Sequence, residues 1–242
     1  MSTLPIINLT KETVMRLVKD VKELIKAPLT SHGIYYHHNE SDMLKGKAMI
    51  IGPKDTPYEY GFYLFEFAFP VNYPHAPPVV KFCTGDGMTR FNPNLYKNGK
   101  VCLSVLNTWN GEQWTGCQTI SSILLALCTV LNDTPLLNEP GVKKSHKDYK
   151  NYNKLIDYKN IEVAIYATIT RPSTVEHFSM FMDSMKQNFI KNYDAIMDKI
   201  NKKIELNCDE EVVNTILYNM SIMTEYKNLK IKLHTLKDTL YF

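Results

Sequence analysis

The sequence predicts an α+β fold: an N-terminal helix, a four-stranded antiparallel meander sheet, flanking helices and a C-terminal helical extension. Three observations carry this expectation. Residues 11–26 repeat apolar positions at helical spacing, and residues 33–83 break into short runs rich in aromatic and branched side chains. Beyond residue 141 no strand signal is convincing and the patterning is helical.

Thr10 stands where an N-cap is expected. After it, Val14, Leu17, Val18, Val21, Leu24 and Ile25 recur at helical spacing, with Lys11, Arg16, Lys19 and Lys22 between them. One amphipathic helix ending at Lys26, with a basic outer face, follows from that pattern. The runs GIYYHH, KAMIIG, FYLFEFAF and VVKFC are separated by Gly, Pro, Asn and Asp, which reads as four strands joined by short loops. Pro70, Pro74, Pro77 and Pro78 have no N–H to give a sheet ladder, so the stretch between the third and fourth strands is a rigid loop. Residues 84–118 show no sustained periodicity, and a long irregular segment inside a regular domain marks function. Thr119 is the next expected cap. Ile120, Ile123, Leu124, Leu127 and Leu131 make an apolar stripe that ends near Asn132 and Asp133. Three further helical stretches are expected over 146–169, 173–205 and 209–238, with Ser173 and Glu176 forming a capping box after Arg171-Pro172.

Composition narrows the class. With 242 residues, 44% hydrophobic and 22% charged, the chain is long enough for one large domain with an extension and is not disordered. A formal charge of +3, from 28 basic and 25 acidic residues, does not suit a nucleic-acid-coating protein. No apolar run approaches the roughly 20 residues of a membrane helix. The start MSTLPIINLT has neither a basic region nor an apolar signal core, so an intracellular protein is expected, cytoplasmic with the nucleus a further compartment. Cys83, Cys102, Cys117, Cys128 and Cys208 are an odd number with no close pair, which argues for reduced thiols over a disulfide framework or a zinc site. His37-His38 and the other histidines lack metal spacing, and Trp109, Trp114 and the tyrosines read as packing residues.

The densest chemistry lies in FNPNLYKNGKVCLSVLNTW, residues 91–109, where Asn-Pro, Asn-Gly and one cysteine share an irregular segment. By itself this is an exposed-loop cysteine, and a lone cysteine is more often a small core residue than a nucleophile. The surrounding residues change that balance. Tyr58 to Gly61, Phe69-Pro70, Tyr73-Pro74, Pro77-Pro78, Asn92 to Tyr96, Asn98 to Leu103 and Trp114 follow in order. Together they resemble the signature of ubiquitin-conjugating enzymes over about residues 9 to 141. Residues 1–141 are therefore expected to form the catalytic core and 142–242 the helical extension. One departure stands out: Asn92 occupies the place where the family usually has histidine. Large members with a C-terminal helical extension are similar here, sharing FNPN, Asn98 to Ser104, the Asn107-Thr108-Trp109 insertion, Asn138-Glu139-Pro140-Gly141 and the KNYN of residues 150–153.

The resemblance implies that Cys102 accepts the C-terminal carboxyl of ubiquitin or a ubiquitin-like modifier from an activating enzyme, as a thioester, and passes it to a lysine or a ligase. It implies no directly bound cofactor, since ATP is consumed by the activating enzyme. Partners implied are the modifier, the activating enzyme, a ubiquitin ligase and protein substrates, with no nucleic acid and no membrane. Asn94 matches the asparagine held near the thioester, where it stabilises the oxyanion or fixes the loop. A carboxylate positions the incoming lysine in many members. Here the usual position is Thr134, and Asp133 and Glu139 are the nearest acids, Asp133 being the residue taken for the role. The basic face of the first helix resembles the surface that meets the activating enzyme. Where ligase contacts normally use an aromatic residue and Ser-Pro-Ala, this chain has His75 and Trp114-Thr115-Gly116-Cys117. Two alternatives stand beside this reading: a non-catalytic binding module of the same fold, and a cysteine hydrolase pairing Cys102 with His146 or His177.

Overall fold

Thr10 caps the first helix, accepting a 3.1 Å hydrogen bond from the Thr13 N–H, and α1 runs Lys11–Lys26. The computed structural model describes residues 9–240, so the reading of the N-terminal start falls mostly outside the described residues. Leu17 and Leu24 are buried, but so are Thr13 and Asp20, and Ile25 faces solvent. Arg16 is a correction to the expected basic outer face. Its guanidinium turns inward to Asp20 at 2.8 Å and to the carbonyls of Gly116 and Gln118, because a buried carboxylate one turn away requires a cationic partner.

Strands β1 (Ile34–His38), β2 (Lys45–Ile51), β3 (Phe62–Ala68) and β4 (Val79–Phe82) form one antiparallel sheet in sequential order. Side chains alternate across it. Ala48, Ile50, Tyr63, Phe65 and Phe67 point into the cluster shared with Leu17 and Leu24 of α1 and with Ile123, Leu124 and Leu127 of α2 (Ile120–Val130). Met49, Phe62 and Leu64 point to the other face, into a second cluster. Thr119 and Ser122 cap α2 reciprocally, with the Ser122 side chain serving in place of the usual acid or amide.

The second face of the sheet is covered by the C-terminal region. Helix α3 (Tyr149–Lys159) continues into a π-helical stretch, Asn160–Ala167, and the single turn α4 (Thr168–Thr170). Then come α5 (Pro172–His177), the long α6 (Met182–Glu205) and, last, α7 (Tyr226–Leu240). Ile161, Ile165, Ile169, Phe189, Ile196, Leu229 and Leu233 share the second cluster with Met49, Phe62 and Leu64. Tyr152, Leu155, Ile156, Val163 and Ala164 join the first cluster instead. Asn160 pins the junction: the Tyr63 hydroxyl donates to its Oδ1 at 2.6 Å, and its Nδ2 donates to the Glu59 carbonyl at 2.8 Å.

Two sequence expectations are corrected here. The capping box at Ser173 does not form, because Pro172, with its preset φ, opens α5 one residue earlier behind Arg171 and places Ser173 inside the first turn. Residues 209–238 are not one helix. They hold a hairpin of β5 (Val212–Thr215) and β6 (Met220–Met223) before α7. Val213, Thr215 and Met220 are buried on one face, a period of two closed by a turn with positive φ at Tyr218 and Asn219.

Candidate active site

The irregular segment after β4 is built on a turn. Asn98 accepts from the Lys100 N–H at 3.1 Å, and Gly99 takes φ +88°, where a side chain would also meet the Phe82 carbonyl at 2.8 Å. The Phe82 N–H donates to the Gly99 carbonyl at 2.8 Å, so the turn is stitched to the edge of the sheet. Chain direction then reverses, and residues 100–102 run back beside residues 94–96, with Tyr96 N–H donating to Lys100 O at 2.9 Å.

That return brings Cys102 against Asn94. The Cys102 N–H donates to the Asn94 carbonyl at 2.9 Å, and the Asn94 side-chain Nδ2 donates to the Cys102 carbonyl at 2.7 Å. Both residues are buried, and Cys102 is 2% exposed. The expected exposed-loop cysteine is thus a sequestered one, because both of its main-chain polar groups are satisfied by Asn94 within the fold. Asn94 Oδ1 is buried with no hydrogen-bond partner among the described residues.

Below Asn94 lies a layer that sequence reading registered only as a departure. Asn92 is fully buried and makes four side-chain hydrogen bonds. Its Oδ1 accepts from the Asn94 N–H at 2.9 Å and from Asn138 Nδ2 at 3.2 Å. Its Nδ2 donates to the Tyr58 hydroxyl at 2.8 Å and to the Val130 carbonyl at the end of α2 at 2.7 Å. Asn92 therefore ties the Cys102 segment to the C-terminus of α2 and, through Asn138, to the segment that follows. Two residues of the KNYN motif complete the support. The Tyr152 hydroxyl donates to the Arg90 carbonyl at 2.7 Å, and Asn153 Nδ2 donates to the Asp133 carbonyl at 3.0 Å. These roles were invisible in the sequence because each partner lies far along the chain.

Asp133 sits on the exposed segment after α2, its carboxylate accepting from the Thr134 hydroxyl at 3.3 Å. It lines a cleft with Asp55, Lys150, Lys154 and Lys199, to which residues 90–109 do not contribute. Glu139 accepts from the Tyr218 hydroxyl. The two histidines of the hydrolase alternative are engaged elsewhere, His177 with Glu66 and His146 with the Asp148 N–H. Trp114 is buried and donates to the Pro74 carbonyl at 2.7 Å. Among the other thiols, burial, reinforced by the charge of Glu66, pushes Cys83 up to about 12, and burial also raises Cys128, whereas Cys117 is exposed. Among the described residues no group of three or more His, Cys, Asp or Glu side chains is arranged to hold a metal, and no helix is long and apolar enough to cross a membrane.

The helix, the four-stranded meander and a cysteine paired with an Asn-Pro-Asn asparagine define a class. The family model of the ubiquitin-conjugating enzymes matches residues 16–162, and the chain belongs to this family. Among its relatives, the ubiquitin-conjugating enzyme E2 Z of Xenopus tropicalis is 43% identical over 159 residues, covering 64% of this chain and 50% of that protein. A probable ubiquitin-conjugating enzyme protein 17 of Caenorhabditis elegans is 32% identical over 207 residues, covering 78% of this chain and 28% of its own length. The human dual E2 ubiquitin-conjugating enzyme/E3 ubiquitin-protein ligase BIRC6 is 39% identical over 158 residues, covering 60% of this chain and 3% of its own. The chain spans about half the length, or less, of these curated relatives.

Proposed function

We propose that this chain carries ubiquitin or a ubiquitin-like modifier as a thioester on Cys102 and transfers it to a lysine amine or to a ligase. The observation that carries the reading is the reciprocal pairing of Asn94 with Cys102 inside the fold of this family. In the first step the Cys102 thiolate attacks the thioester carbonyl on an activating enzyme. A new C–S bond forms and the activating enzyme's thiol leaves, ATP having been spent upstream. In the second step an amine attacks the same carbonyl, the C–N bond forms, the C–S bond breaks, and the amine proton is lost to base as the thiolate departs. Each step passes through a tetrahedral oxyanion. Asn94, whose Nδ2 has a second N–H beyond the one given to Cys102, is the residue to stabilise that charge or to hold the loop that does.

Asp133 is the carboxylate assigned to positioning the incoming lysine. Its side chain is exposed and, among the described residues, bonded to the neighbouring Thr134, whereas Glu139 is engaged by Tyr218. Five free cysteines fit an intracellular compartment that keeps thiols reduced. The decisive experiment is charging: the chain, an activating enzyme, ubiquitin and ATP, resolved on non-reducing gels beside Cys102→Ala and Cys102→Ser. A thiol-labile adduct absent from Cys102→Ala and thiol-resistant in Cys102→Ser is the expected result. A folded chain that binds modifiers without any adduct would make it a binding module.

A further inference from the structure

We propose that the C-terminal hairpin braces the thioester segment, and that Tyr218 at its turn is a positioning residue acting through Arg90. The inference rests on the thioester reading of Cys102 and extends it to a part of the chain some 120 residues away.

Arg90 is the joint. Its guanidinium lies between two rings, 3.4 Å from the centroid of Tyr96 and 4.4 Å from that of Tyr218. From that slot its Nη2 donates to the Pro93 carbonyl at 2.6 Å, immediately before Asn94. Its Nε is buried without a hydrogen-bond partner among the described residues, where the two ring faces and the Pro93 carbonyl hold the group. The hairpin makes three further contacts, two of them to the same segment. Lys97 Nζ donates to the Tyr218 carbonyl at 3.1 Å, the Arg90 N–H meets Met220 Sδ at 3.2 Å, and the Tyr218 hydroxyl donates to Glu139 beyond α2. Leu217 N–H donates to Asp148 Oδ2 at 2.7 Å, and the Tyr152 ring packs edge-on to Tyr218, which anchors the turn to α3.

Tyr218 takes φ +70°, a conformation that suits glycine or asparagine in a turn and disfavours a bulky side chain. Val213 and Met220 are buried in the first core cluster, and Leu217, Tyr218 and Ile222 pack against it. The ring and carbonyl of Tyr218 also engage Arg90 and Lys97, on either side of Asn94, and its hydroxyl engages Glu139. Held from both flanks, the Asn94 amide keeps its geometry when a modifier tail displaces the residues around Cys102.

The test charges the full 242-residue chain with ubiquitin, stops charging, and follows discharge to free lysine. Wild type is compared with Tyr218→Leu, which keeps apolar volume, and Tyr218→Phe, which keeps the ring over Arg90. We expect Tyr218→Leu to charge normally but to discharge about tenfold more slowly, in kcat and not in KM for lysine, as for a misplaced reacting group. Tyr218→Phe should recover to within about threefold. A merely structural role predicts equal loss in both variants, or a loss in KM, and either result overturns the brace. So does wild-type discharge by Tyr218→Leu. Should Tyr218→Leu lose its cooperative melt, Arg90→Lys decides, since it keeps the charge but not the plane between the rings: slowed discharge supports the brace, and a wild-type rate overturns it. Absence of any adduct on the wild-type chain removes the thioester reading and the brace together, whereas charging with unaltered discharge removes the brace alone.

Discussion

The side-chain amide of Asn94 donates to the carbonyl oxygen of Cys102 at 2.7 Å, while the Cys102 N–H answers to the Asn94 carbonyl at 2.9 Å. One asparagine thus holds the main chain of the proposed nucleophile on both sides. Replacing it by alanine removes one of these bonds and the side-chain donor that the proposed oxyanion role requires. Asn94→Ala is expected to form the adduct yet discharge it to free lysine about 10²-fold more slowly, the scale of losing an oxyanion donor. Single-turnover discharge of purified charged protein checks this, and discharge within twofold of wild type would remove Asn94 from the transfer step.

Asn92→Ala should act on stability first. The substitution strips partners from the Tyr58 hydroxyl, the Val130 carbonyl, the Asn94 N–H and Asn138 Nδ2, all gathered around a fully buried side chain. A buried group left unpaired costs roughly 1–3 kcal/mol, so urea unfolding should show a loss of at least that size. Discharge should slow as well, because Asn94 loses its support from below.

Gly61→Ala probes the seam between sheet and extension. A methyl group there would lie 1.9 Å from Asn160 Oδ1, the atom that accepts the Tyr63 hydroxyl bond. Overpacking of that kind costs about 1–3 kcal/mol, and the pair Gly61→Ala with Asn160→Ala should be less destabilising than the sum of the singles. Additive losses in denaturant unfolding would show that the two residues do not share one site.

Acid should loosen the same seam through Asp86. Burial opposes its charge, but the N–H groups of Thr89 and Met88 and the Lys159 ammonium outweigh it, leaving its carboxyl below the ordinary range. A depressed folded-state value means that its contribution is present above the unfolded value and lost as pH falls through the folded one. Unfolding free energy is therefore expected to drop as pH falls below about 4, with Asp86→Asn less stable near neutrality and shallower in that acid slope. An unchanged slope would assign the acid sensitivity to other carboxylates, of which Glu66, held down by His177 against its own burial, is the first to examine.

Strands β1–β4, helices α1 and α2 and the proline loop were legible because their signals are local: a cap, a stripe at helical spacing, a run of branched and aromatic residues. The hairpin of residues 212–223 was not, because its short alternating face is embedded in sequence that also fits a helical period. Within the site, Cys102, Asn94 and the Asn-Pro-Asn element stood out by motif, but the inward turn of Arg16 and the work of Asn92 did not.

By itself, then, the sequence determined the order of elements through α2, the family and the segment that holds the cysteine, since each is encoded by neighbours in the chain. Only the tertiary structure decided that Cys102 is buried, that Asn92 joins it to α2, and that a hairpin from the far end of the chain closes on Arg90. Those facts are set by pairs such as Arg90 with Tyr218 and Tyr63 with Asn160, whose partners come together only after both faces of the sheet are covered. Contacts between residues so far apart leave no period in the sequence from which to read them.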